Sequence, residues 1–165
     1  MDADFVGNRD PENVDDSETS KSRHGYCIPY AGCPICWKSQ LQPHIALSSS
    51  ESEYIGHSCA LREAIPIIQL LSEMSHHKLN PNQPTPTVHC KVFEDNVRAL
   101  EMAREHKFRP RTKHMHIKYH HFRSYVDSKQ ISIDHLNTEN QHADILTKPL
   151  PIASFKRHRC IMMGW

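Results

Sequence analysis

Four carboxylates are the side chains in this sequence best suited to chemistry: Asp2, Glu53, Asp95 and Asp144. Each is expected at the end of a secondary-structure element, facing one side of a sheet. Carboxylate oxygens are hard ligands, and several brought together repel one another unless a divalent cation sits among them. Two Mg²⁺ held close together could activate a water and hold the leaving oxygen of a phosphodiester. Taken singly, each acid reads as a solvated surface charge. A second set is Cys33-Pro34-Ile35-Cys36 with His116 and His120, whose spacings suit a zinc module. That alternative is weaker: residues three apart in a strand point to opposite faces, and the two pairs lie far apart in the sequence. A third set is basic. Residues 104–123 hold seven bases (Arg104, Lys107, Arg109, Arg111, Lys113, Lys118 and Arg123) against Glu105, interleaved with five histidines and with Phe108, Tyr119 and Phe122. Such a stretch suits a phosphate backbone, or is a solvated helix face.

The elements that must position these groups follow from pattern. Asp4-Phe5-Val6 reads as the end of a short strand, and residues 8–21 as a polar, acidic loop. Tyr26–Tyr30 and Pro34–Lys38 are β-prone runs joined by Ala31-Gly32, hence a hairpin. Ser48-Ser49-Ser50 offers helix caps, and Tyr54, Ile55, Cys59, Leu61, Ile65, Ile68 and Leu71 recur at helical spacing. Pro66 inside that run cannot donate to the carbonyl of Arg62, so a kink or break is expected. Asn80–Thr87 is a linker, Val88–Phe93 a strand, Asn96–His106 a short helix. Thr112 is placed to cap a helix through Val126. Ile131–Leu136 alternates as a strand does, and Asn140–Lys148 is a last helix stopped by Pro149. The order β-β-β-α-β-α-α-β-α argues a mixed sheet with helices packed on it. Trp37 and Tyr54 are expected in the core.

At 165 residues, with 38% hydrophobic and 24% charged residues, the composition suits one domain with one core. No apolar run approaches the ~20 residues that span a bilayer, and the acidic Met1-Asp2-Ala3-Asp4 is unlike a signal peptide. The net charge of +1 singles out no partner. The six cysteines have no framework spacing and read as reduced thiols.

The flanks of the four acids add a resemblance. In order come Asp2-Ala3-Asp4-Phe5, Cys36-Trp37-Lys38-Ser39-Gln40-Leu41-Gln42, Ser48-Ser49-Ser50-Glu51-Ser52-Glu53-Tyr54, Glu94-Asp95-Asn96, Arg111-Thr112-Lys113-His114-Met115 and Gln141-His142-Ala143-Asp144-Ile145-Leu146-Thr147-Lys148-Pro149-Leu150. Together they closely resemble the ribonuclease H domain at the C-terminal end of copia-type retrotransposon polyproteins, over residues 2 to 150. Residues 151–165 then form a basic tail at the polyprotein end. The resemblance implies an α/β, ribonuclease H-like mixed sheet with flanking helices. It also implies a metal site of Asp2, Glu53, Asp95 and Asp144 holding two Mg²⁺, with Mn²⁺ a possible substitute, and hydrolysis of the RNA strand of an RNA–DNA hybrid. Asp4, on the same strand face as Asp2, is the second choice for the first ligand. Glu51 is better read as a first-turn acid favouring the helix dipole.

Lys38, Gln40, Arg111, Lys113 and Arg123 are the candidate nucleic-acid contacts. The implied partners are the hybrid and the reverse transcriptase domain of the same polyprotein, with no membrane. The implied location is intracellular, in a cytoplasmic particle or the nucleus. Two departures stand out. The family has several more residues before its Asp-Ala-Asp, so the first strand is expected to be truncated. The segment Leu136–Gln141 is too short for the histidine-bearing loop of cellular relatives. A catalytically inert or nucleic-acid-binding remnant of the same domain is therefore the alternative function.

Overall fold

A computed structural model describes residues 1–7, 12, 19–76, 88–104 and 120–164, with the backbone alone at His76 and His120. The hairpin around Ala31-Gly32 is formed as expected. Strand β2 (Arg23–Tyr30) turns through Ala31 and Gly32, both at positive φ (51° and 80°), into β3 (Cys33–Leu41). The register shifts between Ile28 and Pro29, where proline has no N–H to give the ladder. Strand β1 (Asp2–Asp4) pairs antiparallel with the start of β2, placing Asp2 opposite Gly25 and Asp4 opposite Arg23.

Helix α1 (Ser49–His76) is longer than expected and does not break at Pro66. Pro66 is on the exposed face, where water can serve the carbonyl it leaves unbonded. Ile65 and Ile68 beside it are buried and pin the helix on either side. At its start Ser48 Oγ accepts the Glu51 N–H at 3.2 Å, while Glu51 Oε2 accepts the Leu47 N–H at 2.9 Å. Glu51 thus serves the helix terminus, as the sequence indicated.

Strand β4 (Cys90–Glu94) leads through Asp95 into α2 (Val97–Arg104), capped by Asn96 Oδ1 on the N–H groups of Arg98 and Ala99. Of the helix expected from Thr112, residues 112–119 lie outside the described residues. What is described is one 3₁₀ turn, His120–Phe122, and the short helix α3 (Arg123–Asp127). The linker Asn80–Thr87 and most of the acidic loop lie outside them too. Strand β5 (Ile131–His135) pairs parallel with β4, Cys90 opposite Ile131 and Glu94 opposite His135.

Two expectations are corrected. The strands form two sheets, β1-β2-β3 antiparallel and β4-β5 parallel, rather than one mixed sheet. Among the described residues, the Met1 amino group donating to the Phe93 carbonyl at 3.2 Å joins their backbones. Asn140–Lys148 is not an α-helix but two 3₁₀ turns, Thr138–Asn140 and His142–Leu146, separated by an extended Gln141 (ψ 92°) that cannot carry helical bonding across. The basic tail forms helix α4 (Ile152–Met163), closed by Gly164 at φ 80°.

One face of α1 carries the core. Tyr54, Ile55, Leu61, Ala64, Ile65 and Ile68 pack with Leu100 and Ala103 of α2, Phe122, and Ile131 and Ile133 of β5. The Tyr54 and Phe122 rings meet at 6.0 Å between centroids, and both are fully buried. Tyr54 is thus core as expected. Trp37 is not: it is 58% exposed on the edge strand β3. A largely apolar cavity of about 500 Å³ lies between β2, β4 and α1, with Met1, Tyr26, Ile28, Leu61, Ile68 and Val92 in its wall. Among the described residues, no helix is long and apolar enough to cross a membrane.

Candidate metal centre

Three of the four acids converge. One carboxylate oxygen each of Asp2, Glu53 and Asp95 lies within 4.8 Å of the others. They come from three elements: β1, the second turn of α1, and the junction between β4 and α2. Asp2 and Glu53 are buried and Asp95 is half-buried. Glu53 accepts the Ala3 backbone N–H, which ties α1 to β1, yet its Oε2 is buried without a hydrogen bond. Burial drives its pKa well above the carboxylate range, reinforced by the charges of Glu94, Asp2 and Asp95.

Asp144 stands beside this trio rather than within it. It is buried in the 3₁₀ turn His142–Leu146. Burial first, and then the neighbouring Asp2 charge, push its pKa up to about 7. Lys148 Nζ lies 3.1 Å from Asp144 Oδ1 and 3.7 Å from Asp2 Oδ1. Thr147 Oγ1 donates to Asp2 Oδ2. Burial alone would lower the Lys148 pKa, but Asp2 and Asp144 outweigh it and the net shift is upward, so the ammonium persists.

Gly25 makes this approach possible. A Cβ built there would stand 2.6 Å from Leu146 Cβ and 2.9 Å from Thr147 Cγ2. Any side chain on β2 at this point would lift the turn that carries Asp144 away from β1. Asp4, the second choice for the first ligand, is not in the trio: its carboxylate occupies the space a Cβ on Gly7 would need, although the charges of Lys148 and Asp2 still act on it.

A further pair was not anticipated. His57, one helical turn beyond Glu53, and Glu94, just before Asp95, are both fully buried, with Nε2 and Oε2 2.7 Å apart. The two atoms are in close polar contact without the alignment of a hydrogen bond. The other Glu94 oxygen accepts the Asn96 N–H at 2.8 Å. Glu94 therefore links α1 to the turn that presents Asp95. The available signal was the i, i+4 spacing of Glu53 and His57 on one helix face.

Of the candidate nucleic-acid contacts, Lys38 and Gln40 are exposed on β3, two residues apart and so on one face. Arg123 is half-buried at the start of α3, where its charge acts on Tyr54. Arg111 and Lys113 lie outside the described residues, as does His116 of the zinc alternative. Cys33 and Cys36 lie in β3 and join no metal-ligating cluster among the described residues.

No protein-family model matches the chain, and no solved structure matches it. Curated relatives do. The chain is 31% identical over 150 residues to a retrovirus-related Pol polyprotein from transposon TNT 1-94 of Nicotiana tabacum, covering 91% of the chain. It is 33% and 32% identical, over 155 residues each, to the retrovirus-related Pol polyproteins from transposons RE1 and RE2 of Arabidopsis thaliana, covering 94%. It spans 10–11% of the length of these relatives. These three relatives are transposon Pol polyproteins, of which the chain matches one segment.

Proposed function

We propose that this chain is the ribonuclease H domain of a copia-type retrotransposon Pol polyprotein and hydrolyses the RNA strand of RNA–DNA hybrids. The observation that carries the reading is the convergence of Asp2, Glu53 and Asp95 from three separate elements, with Asp144 next to Asp2. The donors fit a divalent cation. All are hard oxygens, one Glu53 oxygen is buried without a hydrogen bond, and burial, reinforced by like charge, holds Glu53 towards its protonated form. Asp2, Glu53 and Asp95 would hold one Mg²⁺, and Asp2 with Asp144 a second, Mn²⁺ substituting. Bound there, the ions would supply an activated water and stabilise charge on the leaving oxygen. By resemblance, the products carry a 3′-hydroxyl and a 5′-phosphate.

The chain's own residues bind and orient. Lys38 and Gln40 on the exposed face of β3, with Arg111, Lys113 and Arg123, track the nucleic-acid backbone. Glu94 and Asn96 hold the Asp95 turn. In this reading residues 1–150 are the catalytic domain and 151–165 a basic tail that follows it. The reverse transcriptase domain of the same polyprotein is the partner, and the location is intracellular, in a particle or the nucleus. The test is cleavage of a hybrid labelled on its RNA strand. Mg²⁺-dependent cutting that is lost in Asp95→Asn supports the reading. Binding without cutting at saturating Mg²⁺ and Mn²⁺ favours the inert remnant.

A further inference from the structure

We propose that Lys148 is a built-in cation at the Asp2–Asp144 position, so that the chain alone takes one divalent ion at Asp2, Glu53 and Asp95 and takes a second only by displacing this ammonium. The inference deepens the two-ion reading above and rests on it. Three observations support it.

First, the acids divide. Asp2 belongs to both groups, but Asp144 is outside the trio and faces Lys148 Nζ at 3.1 Å, with Asp2 Oδ1 3.7 Å away. A dication bridging Asp2 and Asp144 would share their oxygens with the ammonium, and like charges so close repel strongly.

Second, Lys148 is tethered. The N–H groups of Thr147 and Lys148 both reach the Asp144 carbonyl at 3.1 Å, and Thr147 Oγ1, which lies 3.2 Å from that same carbonyl, donates its one proton to Asp2 Oδ2. The turn that delivers Asp144 therefore delivers its counter-ion with it.

Third, the lysine has a way out. Its side chain is 32% exposed, whereas those of Asp2 and Asp144 are 3% and 7% exposed. Four flexible carbons let the ammonium swing to solvent, or to a phosphate of bound hybrid, without moving the turn.

The experiment is a Mn²⁺ titration of the metal-depleted full chain at pH 8 without hybrid, followed by electron paramagnetic resonance and calorimetry. The parent should bind one ion tightly and a second about tenfold or more weaker, in the usual range of site-to-site coupling. Lys148→Met should tighten the second ion by a similar factor and leave the first unchanged. Lys148→Arg, which keeps the charge, should behave as the parent. Lys148→Gln serves as the neutral variant if Lys148→Met melts early. Two ions of equal affinity in the parent, or an unaltered second ion in both neutral variants, would overturn the inference. If Mn²⁺ binds and hybrid is cut while Lys148 has no effect, the inference alone fails. If the parent binds no ion, the ribonuclease reading falls with it.

Discussion

The buried contact between His57 and Glu94 makes a quantitative prediction about both stability and the metal centre. Both side chains are fully buried, and Glu94 is shared between His57 on α1 and the Asn96 N–H at the Asp95 turn. Removing one member of a buried pair leaves the other uncompensated in a low dielectric, which typically costs about 3–5 kcal/mol. For a chain of this size each kcal/mol moves the melting temperature by about 2–4 °C, so His57→Leu and Glu94→Leu should each lower it by about 6–20 °C. The double Leu variant should recover much of that loss, because a buried pair replaced by apolar groups of similar volume is often neutral. Glu94→Gln keeps an acceptor for Asn96 and should lose the least. Metal binding should respond separately. Residues that orient metal ligands typically contribute about 10–100-fold in affinity. The double Leu variant, though restored in stability, should therefore bind Mn²⁺ more weakly, since nothing then braces the Asp95 turn against α1. Thermal unfolding by circular dichroism and Mn²⁺ titration are the assays. Single variants within about 0.5 kcal/mol of the parent, as for ordinary surface changes, or strictly additive losses in the double variant, would refute the reasoning.

Asp95→Asn should reduce cleavage to background with the melting temperature unchanged or higher, because it removes a charge that crowds Glu53; cleavage at the parental rate would show the site to be wrongly assigned. Binding to hybrid should weaken as salt rises, and neutralising Arg111 and Lys113 together should lower the slope of log affinity against log salt by about 2; an unchanged slope would return the basic segment to a solvated face. Asp144, with its folded pKa raised to about 7 from 3.8, holds a proton in the folded chain that the unfolded chain has released, so its contribution to stability is lost as pH rises between those values. The melting temperature of Asp144→Asn relative to the parent should accordingly climb with pH across that window, and a flat difference would contradict it; His24, lowered to about 4 chiefly by burial, titrates in both proteins and cancels. About five residues of alternating apolar character placed before Met1 should continue β1 antiparallel along Cys27–Tyr30, fill part of the apolar cavity and raise the melting temperature, with no gain in melting temperature as the refuting result.

Local pattern carried the reading of this sequence where local physics decides the structure. The hairpin rests on Ala31-Gly32, α1 on three-and-four spacing behind a serine cap, β4 and β5 on short apolar runs, and α2 on Asn96. Pattern failed where neighbours in space decide. Pro66 breaks nothing because its face of α1 is exposed. Asn140–Lys148 has helical composition, but an extended Gln141 divides it into two 3₁₀ turns. Trp37 is apolar in type yet lies on the outer strand. The site shows the same division. Asp2, Glu53 and Asp95 were legible because each has distinctive flanks, and the structure brings them together. Asp144 was equally legible by its flanks, but its pairing with Lys148 was not, since that depends on how the turn lies over Gly25. His57 and Glu94 are far apart in the sequence, and although Glu94 lies in the Glu94-Asp95-Asn96 flank, nothing in the sequence marks it as the partner of His57. Their contact exists only once α1 is laid across β4.

The charge distribution at this end of the molecule argues that the arrangement is kept for something other than stability. Asp2, Glu53, Glu94 and Asp144 are all buried within one region, with Asp95 half-buried beside them. Among the described residues, five acids meet one lysine, a threonine hydroxyl, the N–H groups of Ala3 and Asn96, and a histidine. Such a cluster costs stability twice, through desolvation and through mutual repulsion, and both effects are visible in the upward shifts of Glu53 and Asp144. Apolar residues of like volume would pack the same space without that cost. Apart from Lys148, the compensating contacts hold the carboxylates in place: Ala3 positions Glu53, Thr147 positions Asp2, and His57 with Asn96 positions Glu94. In the proposed metal centre a bound cation would relieve that repulsion, so metal uptake should raise the melting temperature.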